Sequence, residues 1–88
     1  MKLTQEQYVA LVIEKKTAKR YLENLDKHWD YYVFDCEDKA ERKRWDDDRA
    51  KAIIEIVAAD DKLIKAREYF TGDDLKEMKK RYNQLTGN

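Results

Sequence analysis

The chain contains no proline, and its only glycines are Gly72 and Gly87. Proline removes a backbone donor and glycine loosens the backbone, so their absence before residue 72 leaves a long stretch in which every position tolerates a helix. The same absence excludes glycine-rich phosphate loops, whose backbone N–H groups must approach the phosphate where a side chain would obstruct. Trp29 to Phe34 is rich in strand-forming residue types, but no second segment is available to pair with it. It therefore reads as the last turns of a helix and the turn beyond.

The first helix opens at Thr4-Gln5-Glu6-Gln7, the pattern of a capping box, with Leu3 and Tyr8 placed for a hydrophobic staple. Tyr8, Leu11, Lys15, Ala18, Leu22, Leu25, Trp29 and Tyr32 then advance by threes and fours, which predicts one helical face from about residue 5 to about residue 33. Val12 and Tyr21 widen it. Asp35 to Asp38 reads as the connection, with Asp38 as the next cap and Glu41 completing a box-like pattern. The second helix carries Trp45, Arg49, Ala52, Ile56, Ala59, Leu63, Ala66 and Phe70, flanked by Ile53, Val57 and Ile64. Alanine alternates with a larger residue along that stripe, which lets two helices approach closely. Thr71-Gly72-Asp73-Asp74 punctuates, with Gly72 expected to make a sharp turn. A short third helix follows through Leu75, Met78, Tyr82 and Leu85 and ends near Gly87.

These elements predict an all-α fold: a long antiparallel helical hairpin with a short C-terminal third helix, one domain over residues 1–88. Facing pairs should number about 72 together, so Ala18 meets Ile53 and Ile54, and Tyr8 meets Leu63 and Ile64. The third helix is expected on the end that holds residues 1–20 and 52–70. A domain this small buries only about 60–65% of its unfolded surface, so the core must be thin and a homodimer is expected to thicken it. At the turn the two helices do not match. Eleven of the thirteen residues from Glu37 to Arg49 are charged and Trp45 is the only large apolar one, yet this stretch lies beside Leu25, Trp29, Tyr31, Tyr32, Val33 and Phe34.

Charge narrows the functional classes. Lysine plus arginine number 19 and aspartate plus glutamate 19, so no global positive field is available for a nucleic-acid backbone or an anionic membrane. The longest apolar run, Tyr8 to Ile13, is far short of the roughly 20 residues a bilayer demands, and no signal-peptide core follows Met1-Lys2. Cys36 is the only cysteine, which rules out an internal disulfide or a cysteine zinc cage and suits a reducing compartment. A cytoplasmic protein is expected, in a host cytoplasm if phage-encoded.

Catalytic groups are hard to assemble from this sequence. His28 has no metal-ligating side chain three or four residues away, and Cys36 sits among Asp35, Glu37 and Asp38, whose charges blunt a thiolate. Asp46, Asp47 and Asp48 point about 100° apart on a helix and cannot converge on one ion; they read as a solvated face paired with nearby arginines. No enzyme, metal or cofactor is expected. The aromatic set Trp29, Tyr31, Tyr32, Phe34 and Trp45 is the candidate protein-binding site, set against a purely local cap in which Trp45 and the stems of Arg42 and Arg49 cover the rings. Arg42, Lys43 and Arg44 are the alternative, as a nucleic-acid or nucleotide site. Size and composition alone associate such a chain with small accessory proteins of phages and mobile elements that inhibit or adapt a larger machine.

Overall fold

The computed structural model describes residues 2–87, and among these every regular element is helical. The helices are α1 (Gln5–Asp26), α2 (Lys39–Arg67) and α3 (Gly72–Thr86), with a π-helical turn over Tyr31–Asp35 between the first two. The α1 cap is the reciprocal box: Gln7 N–H donates to the Thr4 hydroxyl at 3.1 Å, and Thr4 N–H donates to Gln7 Oε1 at 2.9 Å. Thr71 and Asp74 repeat it at α3, at 3.2 and 3.0 Å. Asp38 accepts from Ala40 and Glu41 N–H at 2.9 and 3.3 Å, but Glu41 does not reach back, so the α2 cap is one-sided. Gly87 closes α3 in the left-handed region at φ 76°, a conformation glycine adopts without Cβ strain.

Two boundaries differ from the sequence expectation. The first helix does not run on to residue 33; α1 ends at Asp26. At the break the Leu25 carbonyl accepts from the Trp45 indole Nε1 at 2.9 Å and from His28 N–H at 3.3 Å. In a continuous helix that carbonyl would take the Trp29 N–H, so an inserted side chain has replaced a rung of the ladder and the helix yields there. Helical turns resume at Trp29 and widen, with Cys36 N–H donating to the Tyr31 carbonyl five residues back at 2.7 Å. Gly72 does not make the second turn. It is the first residue of α3, with φ outside the left-handed region; Tyr69 and Phe70 N–H groups turn the chain by bonding to Ala66 and Arg67 carbonyls.

Contacts between α1 and α2 run in opposite numerical order. Lys15 bonds Asp60, while further along α1 Asp26 bonds Arg49 at 2.8 Å. The buried set along this seam is Ala18 from α1 with Trp45, Ala52, Ala59, Leu63 and Ala66 from α2. The last five lie on the stripe read from the sequence. Val9 and Met78 are buried where α3 crosses α1. Around them Gln5 donates to Asp74 at 3.0 Å, the Lys16 ammonium lies 4.7 Å from the Tyr82 ring centre, and Phe70 meets Tyr8 edge-on at 5.3 Å.

The third helix lies at the end that holds residues 1–20, where it packs on α1 and not on α2. The order across the molecule is α2, α1, α3, an open layer measuring 53 × 28 × 14 Å between Cα extremes. Its radius of gyration is 16.8 Å, against about 12 Å for a compact chain of this length. Its accessible surface is 6981 Å², against about 5,500 Å² for a compact chain of 10.6 kDa. Of the residues expected to face α1, Leu63 is buried on the seam and Ile54 and Ile64 are not. Ile54 and Ile64 are 67% and 62% exposed, because the seam closes on the alanine stripe and leaves the larger aliphatic residues outside.

Candidate functional site

The end of the molecule where α1 gives way to α2 holds all five aromatic candidates, divided into two groups. Trp45 is 6% exposed and lies flat on Tyr32, with ring centres 5.0 Å apart and planes 12° from parallel. Its indole N–H is satisfied by the Leu25 carbonyl, as a buried indole requires. Arg49, one turn further along α2, holds Asp26 and fastens the same end. Trp45 and Tyr32 therefore occupy the position of a local cap.

The other three rings face outward. Phe34 is 74% exposed, the most exposed large apolar residue among those described, with Tyr31 at 46% and Trp29 at 42%. Phe34 lies two residues past the inward Tyr32, about half a turn round the helix, and so faces away from the α1–α2 seam. Phe34 and Trp29 meet edge-on at 5.8 Å, and Tyr31 sets its edge to Tyr32 at 5.0 Å. The exposed rings thus rest on each other and on the cap. The Glu41 carboxylate raises the pKa of the Tyr31 phenol above the ordinary tyrosine value, with smaller contributions from Cys36.

The remaining sequence candidates do not assemble. Arg42, Lys43 and Arg44 are all exposed, but consecutive helical residues point about 100° apart and share no common face. Lys43 is engaged with Asp47 at 2.9 Å, a hydrogen bond and charge that raise its pKa. The Cys36 thiol donates to the Asp38 carbonyl at 3.4 Å. Among the described residues no three histidine, cysteine, aspartate or glutamate side chains gather as a metal site, and no helix is long and apolar enough to cross a membrane.

Sequence reasoning missed two things. Val9 lies off the stripe read for the first helix, yet it is 3% exposed because α3 comes down on that side; its spacing to Val12 and Lys16 was the available signal. The outward face of α2 was assigned to the interior, although four aliphatic residues at 53, 54, 57 and 64 are more than an alanine stripe beside them can share. No protein-family model, curated protein or solved structure matches the chain.

Proposed function

We propose that the chain is a non-catalytic protein-binding module that presents Trp29, Tyr31 and Phe34 at the end of an antiparallel α1–α2 hairpin braced by α3. The observation that carries the reading is the exposure of these three rings directly beside a satisfied, buried Trp45. Burying the outer rings would have been the cheaper arrangement for the free protein, since each large aromatic contributes about 2–3 kcal/mol when removed from water. Exposed rings in contact with one another, on a segment that also carries the exposed charges of Asp30, Asp35 and Glu37, have the make-up of an interface centre among charged residues. Inhibition or adaptation of a larger machine is the form of binding that suits a module with no reacting groups of its own.

The test compares capture of partners by the wild-type protein and by Phe34→Ala. A specific protein retained by the first at moderate salt, and lost with the second, supports the reading. The alternative, a nucleic-acid or nucleotide ligand on Arg42, Lys43 and Arg44, calls for capture that weakens steeply with salt and fails on Arg42→Ala with Arg44→Ala while surviving Phe34→Ala.

A further inference from the structure

The second apolar surface lies on α2, well away from the aromatic end. Ile53, Ile54, Val57 and Ile64 are 36%, 67%, 61% and 62% exposed and fall within an arc of about 100° at 3.6 residues per turn. That arc lies about 150° round the helix from the buried stripe of Trp45, Ala52, Ala59, Leu63 and Ala66. A helix apolar on two opposite faces is built to be packed on both sides. In this layer α2 is an outer helix and has α1 on one side only.

We propose that this face is covered by the same face of a second copy, with the two α2 helices antiparallel about a two-fold axis near Val57. Area supports a partner of this size. The accessible surface exceeds that of a compact chain by about 1,500 Å², whereas each half of a standard interface takes about 800 Å². Charge selects the direction. The early end of the stripe is flanked by Asp46 and Asp47 and the late end by Lys65, Arg67 and Glu68. With the axis at Val57, antiparallel copies set Asp47 opposite Arg67 of the second copy and Ala50 opposite Ile64, and leave Asp46 against Glu68 as the one acid pair among these. Parallel copies stack the acids on the acids. Asp61, the acid within the stripe, is already matched by Lys65 at 3.0 Å. The inference is independent of the binding role given to the aromatic end.

The test is sedimentation equilibrium at micromolar concentration, joined to a cysteine cross-link. The wild-type protein is expected at twice 10.6 kDa, with a melting midpoint that rises with concentration. Val57→Lys is expected to raise the dimer dissociation constant roughly thirtyfold, as loss of a hot-spot side chain does. In a Cys36→Ser background, Val57→Cys should oxidise to a disulfide-linked dimer while Lys43→Cys should not. The cross-link needs no destabilising change, so it decides the matter even if Val57→Lys fails to fold. A mass of 10.6 kDa with a concentration-independent melt overturns the proposal. So does a dimer that survives Val57→Lys and dissociates on Phe34→Ala.

Discussion

Trp45 stands alone in a charged stretch, and its surroundings explain why a single aromatic suffices there. It fills the seam, stacks on Tyr32 and gives its N–H to Leu25, so one residue supplies area, ring packing and a hydrogen bond. Trp45→Ala should cost roughly 3 kcal/mol in urea unfolding, the range of large aromatic truncations in packed sites. Trp45→Phe keeps most of the packing and loses the bond, and should cost about half as much. Phe34→Ala, acting on an exposed ring, should change stability by less than about 0.5 kcal/mol. Equal losses from Trp45→Ala and Phe34→Ala in the isolated protein would show that the two rings belong to one core. Asp74 makes a second residue-scale case. Hydrogen bonds from the Thr71 backbone and hydroxyl hold its pKa below the usual carboxylate value, with a further bond from Gln5. A depressed folded pKa adds stability that is complete above the unfolded value and lost as pH falls through the folded one. Asp74→Asn should therefore destabilise α3 near neutral pH, and the difference from wild type should close in acid.

At the scale of elements, the capping residues set where helices begin and tertiary contacts set where they end. Thr4→Ala and Thr71→Ala should each cost about 1 kcal/mol, read as a lower denaturation midpoint with an unchanged slope. The starts of all three helices were legible in the sequence, because Thr4-Gln7, Asp38 and Thr71-Asp74 are local signals that need no partner to be recognised. The end of α1 was not legible. It depends on the Trp45 indole reaching the Leu25 carbonyl, twenty residues away in the chain. The buried stripe of α2 could be read from spacing alone, since alanine at 52, 59 and 66 marks a close approach. The fate of Ile54 and Ile64 could not, because spacing that marks one face for close approach does not show whether the aliphatic residues flanking it share the seam or stay outside it. At the candidate site, sequence placed the five aromatic residues together, but the hydropathy pattern marks neither the end of α1 at Asp26 nor the π turn, and so does not divide the outward Trp29, Tyr31 and Phe34 from the inward Tyr32 and Trp45. If Trp45 is what breaks α1, Trp45→Phe should lengthen that helix through residues 27 and 28. Slower amide exchange at Trp29 in the variant would register it.

Taken as a whole, the molecule is an open layer of helices with two unsatisfied apolar surfaces of different character. The aliphatic face of α2 is long, and its flanking Asp47 and Arg67 meet when two copies run antiparallel, which suits a second copy. The aromatic end is small, with three exposed rings in contact with one another or with the buried cap, which suits a different protein. The account requires that pairing through α2 leave the aromatic end open, since an end covered by the second copy would have no room for a partner. Iodide quenching of tryptophan fluorescence in the wild-type protein, where Trp45 is buried and Trp29 is the accessible indole, measures that requirement directly at concentrations where the dimer is complete. The account predicts quenching close to that of a half-exposed indole and unchanged on dilution to the monomer. A Trp29 shielded in the dimer and released on dilution would contradict it.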